Sequence, residues 1–297
     1  MNRPRAEHAL PEKRAVRRAF DRAVAFETAS AVHEEARQRL LERLEFFRLA
    51  PRTVVDLGCA TGRGTRQLAA RYPAALTLGL DASLGMLRGV HRDGAGDERT
   101  SFVAADAEAL PLRDGSVQLL FANLSLPFCR PDRVFSEAAR VLEAGGLFVF
   151  STVGPDTLQE LRRAWAGIDD RIHVHAAFDM HDLGDLALHS GLAEPVLDVD
   201  RLEVTYASLA ALVRELRDCG AVNSAAGRRR ELTGRTRWQA FEASLVADVP
   251  AGERLHVTVE LVLGQAWGRG PVVAKPREAG PAEVAVPVER IGRGAPR

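Results

Sequence analysis

The sequence predicts an α/β domain whose centre is a doubly wound, mostly parallel sheet. Three short apolar runs in the first half of the chain each contain or end in an aspartate, at Asp56, Asp81 and Asp106. Amphipathic helix patterns separate these runs, and a glycine-rich loop follows the first one. Strand and helix patterns that alternate in this way are typical of parallel sheets, because each return crossover needs a helix.

Hydrophobic periodicity also predicts the individual strands and helices. The first helix begins after a polar N-terminus, and the helix that follows the fifth strand is expected to be capped by Asp156 or Thr157. The expected strands are 54–57, 76–81, 101–106, 116–123, 147–152, 195–206 and 254–267. The expected helices outside the central core are Lys13–Ala25, Ala29–Phe47, 156–168, 179–190, 209–220 and 235–247.

These elements predict one domain between two unstructured ends. The last segment is rich in Gly, Pro, Arg and Ala, which is typical of chains without a packed core. We expect a disordered N-terminus over 1–12, a single domain over 13–268 and a flexible tail over 269–297. The domain is expected to consist of cover helices over 13–50, a ligand-binding core over 51–154, a helical lid over 155–250 that contains a core strand at 195–206, and a closing strand over 251–268.

Composition narrows the class of protein. The 297 residues carry 40 basic and 40 acidic side chains, so global charge predicts neither nucleic-acid nor membrane association. The three cysteines, Cys59, Cys129 and Cys219, are too widely spaced for a zinc site and indicate a reducing compartment. No signal-peptide pattern and no long apolar run occurs. A cytoplasmic protein is therefore expected.

The loop after the first strand is the first candidate binding element. It follows the β-branched run at Val54 and contains Gly58, Gly62 and Gly64 before a helix begins. Glycine lets a backbone approach a ligand closely, and the amides at a helix start can hydrogen-bond to it. By itself this pattern suits NAD, FAD, phosphate and S-adenosyl-L-methionine (SAM) alike.

The acidic residues discriminate among these ligands. Asp81 lies nineteen residues after Gly62, where a doubly wound sheet brings the end of its second strand to ribose hydroxyls. With Asp56 and Asp106 nearby, a diphosphate would be repelled, whereas SAM carries an ammonium and a sulfonium and no phosphate. The pocket therefore favours SAM. Asn123 follows the fourth strand and is expected to face the region of methyl transfer.

These motifs resemble the core of the class I SAM-dependent methyltransferases, which have a Rossmann-like, seven-stranded sheet whose last strand is antiparallel. The resemblance implies that Asp56 and Gly58 lie in the methionine-binding turn, Asp81 on the ribose and Asp106 near the adenine. Met86 could lie on the adenine or in the core. The cofactor-binding residues expected in full are Asp56, Gly58, Ala60, Gly62, Asp81, Met86, Asp106, Ala107 and Asn123.

Phrases in the second half resemble one family more specifically, the malonyl-[acyl-carrier protein] O-methyltransferases of biotin synthesis. The resemblance runs from about Lys13 to Trp267. It implies methyl transfer from SAM to the free carboxylate of a malonyl thioester on acyl carrier protein, or on coenzyme A. The phrases that carry it are 150–161 with Trp165, 178–185, and 216–221 with Asn223.

This chemistry explains why no catalytic dyad is evident in the sequence. A carboxylate with a pKa near ~4 is already ionised at neutral pH, so no general base is needed. The protein has to align the reacting atoms and orient the carboxylate, for which an arginine is suited. Asn123 is expected to help in alignment. The arginines in the lid that could orient the carboxylate are Arg162, Arg163, Arg171, Arg217, Arg228 and Arg229.

Two further clusters have open interpretations. The run Arg228–Arg230 is either a solvated surface or a docking site for the acidic carrier protein. His173, His175 and His181 lie close together, but without matching Cys or carboxylate spacing they predict no metal site.

The sequence departs from the family pattern at two places near the expected substrate. Phe26–Glu27 stands where the family has Tyr-Asp, and Leu126–Pro127–Phe128 stands where it has Leu-Gln-Trp or similar. Two alternatives therefore stay open: a related SAM-fold protein acting on another substrate, such as an arginine hydroxylase, and a non-catalytic SAM-binding assembly factor.

Overall fold

A computed structural model describes residues 10–23, 25–29, 31–92, 99–247, 249–250 and 252–269. Seven strands form one sheet in the order β3-β2-β1-β4-β5-β7-β6. The pairs among β1 to β5 are parallel, and β7 runs antiparallel to both of its neighbours, as expected. The strands are β1 Thr53–Leu57, β2 Leu76–Asp81, β3 Thr100–Ala104, β4 Val117–Ala122, β5 Leu142–Val153, β6 Leu192–Tyr206 and β7 Leu255–Gly268.

Helices cover both faces of this sheet, which confirms the doubly wound α/β prediction. None of the helices in the described ranges is long and apolar enough to cross a membrane. The α-helices are α1 Lys13–Asp21, α2 Phe26–Ala29, α3 Ala31–Arg43, α4 Arg63–Arg71, α5 Leu84–Arg92, α6 Pro131–Val141, α7 Gln159–Ala166, α8 Met180–His189, α9 Leu209–Asp218 and α10 Arg235–Val246.

Alternation along the strands explains the two-sided core. Val55, Leu120 and Phe148 pair across three strands and pack into one buried cluster, while Val54 and Phe121 belong to a second cluster. Successive side chains of a strand point to opposite faces, so each apolar run supplies both clusters. Burying a side chain of this size stabilises the fold by about 1.5–3 kcal/mol.

The lid has an apolar cluster of its own. It includes Trp165 of α7, Leu212 of α9 and Phe241 of α10, packed against Leu255 and Val257 of β7. Because β7 belongs to the central sheet, this cluster anchors the lid helices to the sheet beyond the carboxyl ends of the parallel strands.

The expected helix cap at 156–157 is wrong. The helix begins at Gln159, and its N-cap is Leu158, with φ 55° and no side-chain cap. The Asp156 carboxylate instead pairs with Arg201 on β6. The Thr157 hydroxyl donates to the backbone oxygen of Glu260 on β7 at 3.1 Å. Bonds to two sheet strands therefore replace the local cap.

The two ends of the chain are described only in part. Residues 1–9 and 270–297 lie outside the described residues, so the predictions made for them remain predictions. Residues 10–12 belong to the described part of the chain and form backbone hydrogen bonds to the lid. Glu12 donates its backbone N–H to the oxygen of Ser224 at 2.7 Å, and Ala226 donates to the oxygen of Leu10 at 2.9 Å. Residues 10–12, here called the N-terminal strap, therefore fasten the start of α1 to the lid.

Candidate functional site

The loop after β1 is a tight turn at the carboxyl edge of the sheet. Gly58 and Gly62 adopt φ values of +72° and +76°. The amides of Gly58 and Cys59 donate to the Leu80 oxygen at 2.7 and 3.1 Å, which holds the turn against the end of β2. A Cβ added at Gly58 would lie 2.5 Å from the Cβ of Ser125. Glycine is therefore required here by both conformation and space.

Asp81 fixes this turn from the end of β2. Its two carboxylate oxygens accept the backbone N–H groups of Ala60 at 2.9 Å and Ser83 at 2.7 Å. Burial raises the pKa of Asp81, against the opposing effect of these two amides. The carboxylate retains free lone pairs, since each oxygen accepts one protein donor.

Asp56 lies below the same turn and is 3% exposed. The Thr65 hydroxyl donates to its Oδ2 at 2.7 Å. Burial raises the pKa of Asp56 to about 6, and the neighbouring charge of Asp81 adds to the effect. Neither carboxylate forms an ion pair with a Lys or Arg of the described residues, although the charge of the nearby Arg37 acts to lower the pKa of Asp56.

Asp106 is held differently from the other two aspartates. The Lys13 ammonium of α1 lies 2.5 Å from its Oδ2 and 2.8 Å from Oε2 of the buried Glu108. Burial acts to raise the pKa of Asp106, but Lys13 and the Glu108 amide outweigh it, so the pKa is lowered overall. The first cover helix is thus tied to the end of β3.

Two further contacts close the cover over the turn. Asp21, the last residue of α1, accepts the Ser83 hydroxyl at 2.7 Å and the Gly85 amide at 2.9 Å. The Asn123 side chain donates to the backbone oxygen of His33 at 2.9 Å and accepts the Ser151 hydroxyl at 2.9 Å. Asn123 therefore connects the end of β4 to the helix α3.

A cavity of about 130 Å³, here called the acidic pocket, lies between the turn and the cover helices. Seven of the nine expected cofactor-binding residues line it. Gly62 does not line it, although it sets the conformation of the turn. Met86 does not line it either; it is buried against Ala23 and Ala60, as in the core interpretation. The seven that line the acidic pocket are Asp56, Gly58, Ala60, Asp81, Asp106, Ala107 and Asn123.

A second and larger cavity, about 710 Å³, lies under the lid and is here called the lid cavity. His33, Leu124, Phe128 and Cys129 line both cavities, so the two adjoin at these residues. Burial, with the nearby charge of Arg37, lowers the pKa of His33 to about 4, so its imidazole is neutral at pH 7.

The aromatic residues at the junction include both sequence departures. The Phe128 ring packs edge-on against Phe20 of α1, with centroids 4.9 Å apart, and Phe26 packs edge-on against His33 at 5.1 Å. The contact between the two cavities is therefore predominantly apolar.

The candidate arginines of the lid have different surroundings, and the sequence alone does not distinguish among them. Arg217 and Arg229 line the lid cavity. Arg162 donates to the backbone oxygens of Thr157 and His175. Arg228 is largely buried, with its Nη1 2.7 Å from Oε2 of Glu12. Arg163 and Arg171 are exposed and line neither cavity.

The run Arg228–Arg230 is solvated only in part. The Arg228 and Arg229 side chains are 15% and 21% exposed, whereas Arg230 is 69% exposed and shares Glu12 with Arg228. Sequence reasoning had no signal for this pairing, because the partner carboxylate lies more than two hundred residues away. The docking interpretation of the run stays a prediction.

Arg229 shows the unusual environment of a buried guanidinium facing a cavity. Its Nε is buried without a hydrogen-bond partner, and so is Oδ2 of Asp169, 4.0 Å from Arg229 Nη1. The remaining contact is with the exposed Glu231, at 3.0 Å. A buried donor without a partner is costly, so the protein does not use the full donor capacity of this guanidinium.

The three histidines have protein partners instead of a common centre. His173 bonds to Asp169 at 2.7 Å and stacks on Trp165. His175 accepts the backbone N–H of Ser224 at 2.6 Å, and burial with the Arg228 charge lowers its pKa to about 4. His181 bonds to Asp179. In the described part of the chain, no group of three or more His, Cys, Asp or Glu is arranged to hold a metal ion.

Comparison with known proteins gives consistent results. A family model described as "Methyltransferase domain" matches residues 55–150. The chain is 40% identical over 282 residues to the malonyl-[acyl-carrier protein] O-methyltransferase of Nitrosospira multiformis, covering 88% of this chain and 90% of the relative. It is 43% identical to the protein of the same name from Laribacter hongkongensis, covering 86% and 89%.

The fold has a solved counterpart in the YcgJ protein of Bacillus subtilis. The TM-score is 0.56 at 15% identity, over 78% of this chain and 98% of that protein. This likeness concerns the architecture of the sheet and its helices.

Proposed function

The chain belongs to the malonyl-[acyl-carrier protein] O-methyltransferase family, and from that premise we propose that it methylates the free carboxylate of malonyl-acyl carrier protein. SAM is the methyl donor, and the reaction is an early step of biotin synthesis, as the family resemblance implies. One observation carries the proposal: the acidic pocket adjoins, through an apolar junction, a larger cavity that is lined by Arg217 and Arg229.

The acidic pocket has the chemistry that a cationic donor requires. Asp56 and Asp81 are buried carboxylates that form no ion pair within the described residues, and burial raises the pKa of both. A ligand that brings positive charge would stabilise their ionised forms, whereas a diphosphate would add repulsion. When bound, SAM supplies an electrophilic methyl group on a positively charged sulfur.

Each residue of the acidic pocket would bind a different part of the cofactor. The Gly58 turn and Asp56 would hold the methionine end, Asp81 the ribose hydroxyls, and Asp106 with Ala107 the adenine. Lys13 and Asp21 of α1 hold the cover over the pocket by their bonds to Asp106 and Ser83. These residues bind and orient, and none needs to transfer a proton.

The lid cavity would take the malonyl thioester. We infer that Arg229 orients its carboxylate, because the Arg229 side chain lines that cavity and is only 21% exposed. Arg217 also lines the cavity but is exposed, so its charge is more strongly screened by water. A carboxylate held by a guanidinium fork keeps one oxygen in a fixed direction.

The junction residues would favour the methyl transfer by excluding water. Joining a negatively charged oxygen to a positively charged donor cancels both charges, so an apolar surrounding favours the products over the separated ions. Phe20, Phe128 and Leu124 provide that surrounding. His33 is neutral at pH 7 because of its lowered pKa, so it adds no charge there.

A labelled methyl group tests this function. The enzyme is incubated with methyl-labelled SAM and malonyl-carrier protein, with acetyl-carrier protein as the matched substrate that lacks a free carboxylate. We expect a base-labile ester on the malonyl substrate alone. SAM binding without ester formation would contradict the proposal and favour a non-catalytic SAM-binding protein.

A further inference from the structure

We propose that the acidic carrier protein docks on a surface formed by arginines of α1 and α9, here called the arginine face. This inference rests on the proposed function and adds the place where the protein part of the substrate binds. The arginine face comprises Arg14, Arg17, Arg18, Arg22, Arg214 and Arg217.

α1 and its C-cap residue Arg22 carry a high density of unpaired positive charge. Arg14, Arg17, Arg18 and Arg22 are all exposed, and none forms a hydrogen bond or ion pair through its guanidinium within the described residues. Residues three and four apart lie on one side of a helix, so these like charges repel each other. Lys13, by contrast, is neutralised by Asp106 and Glu108. An acidic partner would relieve this repulsion.

The carboxylates beside the arginine face have other partners. Glu12 lies beside the face but binds Arg228 and Arg230. Asp21 accepts two hydrogen bonds from Ser83 and Gly85. Neither acid forms an ion pair with an arginine of the face among the described residues, so the face keeps a net positive charge of several arginines against these two carboxylates.

The arginine face includes residues that line each of the two cavities. Arg17 lines the acidic pocket, and Arg217 lines the lid cavity. The two helices approach at the Phe20 ring, where a Cβ on Gly220 would lie 2.9 Å from the ring edge. A carrier protein on this face would hold its thioester arm beside the cavity that takes the malonyl group. Charge complementarity of this kind accelerates association more than it raises intrinsic turnover.

Charge reversal with two substrates tests the proposal. The variant R14E/R18E changes residues that line neither cavity. Its matched control is R48E/R113E, which makes the same charge change at exposed arginines preceding β1 and β4, at the opposite edge of the sheet. Each protein is assayed with malonyl-carrier protein and with malonyl-pantetheine, which lacks the carrier.

We expect R14E/R18E to raise the KM for malonyl-carrier protein by about tenfold and to leave kcat/KM for malonyl-pantetheine within about twofold. The neutral variant R14Q/R18Q should give an intermediate KM, and R48E/R113E should match the unaltered enzyme. Turnover of malonyl-pantetheine also reports that each variant is folded.

Three results would overturn the inference. An unchanged KM in R14E/R18E, or an equal rise in R48E/R113E, would show that the face does not dock the carrier. An equal loss with both substrates would show that the arginines act on the active site. If the unaltered enzyme methylates neither substrate, the proposed function itself fails, and the docking face fails with it.

Discussion

The Lys13 ammonium lies 2.5 Å from Oδ2 of Asp106 and thereby joins the first helix to the carboxyl end of the third strand. Together with the bonds of Asp21 to Ser83 and Gly85, this pair closes α1 over the acidic pocket. The space of about 130 Å³ is smaller than the ~300–1,000 Å³ of usual ligand sites. We therefore expect the cover to move outward when a cofactor enters, which would require the Lys13 contacts to loosen.

Removal of the Lys13 ammonium should loosen the cover. In K13A without ligand, we expect faster hydrogen exchange of the α1 amides, because Asp106 and Glu108 lose the cation that fastens the helix. Exchange mass spectrometry measures this, with R14A as the control at an adjacent unpaired residue. Equal protection of α1 in K13A and the unaltered protein would contradict the role of this ion pair.

SAM affinity should depend on pH through Asp56. Burial raises the pKa of this carboxyl to about 6, so in the free protein it is ionised above pH 6 and protonated below. A cationic ligand favours the ionised form, so affinity should fall as the pH drops through about 6 and level off above 7. Titration calorimetry from pH 5 to 8 measures the profile. D56N should bind weakly with little pH dependence; an unchanged profile in D56N would exclude Asp56 as the responsible group.

We expect Asp81→Asn to weaken SAM binding more than it lowers the stability of the fold. The amide retains the size of the side chain but has one accepting oxygen, so the Ala60 and Ser83 N–H groups can no longer both be satisfied, and a ribose loses its anionic acceptor. A lost charge-assisted hydrogen bond costs about 1.5–3 kcal/mol, which corresponds to roughly 10- to 150-fold in Kd. Equal Kd values for D81N and the unaltered protein would refute the ribose assignment.

Arg228 and Arg229 provide a matched pair, because adjacent residues have different surroundings. R229Q should raise the KM for malonyl thioesters about tenfold or more, since it removes the charged donor that faces the lid cavity. R228Q should leave KM unchanged and lower the thermal stability, because it breaks the contact with Glu12 that holds the N-terminal strap. Steady-state kinetics and thermal unfolding of both variants test these expectations. Equal KM values for R229Q and R228Q would contradict the role of Arg229 in orienting the carboxylate.

The sequence predicts the sheet because the patterns that define its strands and helices are local. Apolar runs of strand length and the helix patterns between them define β1 to β5, and the acids at Asp56, Asp81 and Asp106 follow from strand ends alone. The partners of those acids come from elsewhere in the fold. Thr65 reaches Asp56 from the next helix, and Lys13 reaches Asp106 across ninety-three residues.

Tertiary contacts also explain where the sequence interpretation failed. Three consecutive arginines look alike in the sequence, yet distant acids draw Arg228 and Arg230 to Glu12 while Arg229 faces a cavity. The expected helix cap failed for the same reason, since Asp156 and Thr157 bond to the sheet. Local propensity cannot report such partners.

Calorimetric titration of the protein at pH 7.5 with SAM, with its thioether product and with NAD tests most directly whether the buried carboxylates select a cationic methyl donor over a diphosphate. We predict saturable binding of SAM and of the thioether, with the positively charged SAM bound more tightly, and no binding of NAD. Binding of NAD, or absence of SAM binding, would contradict the account.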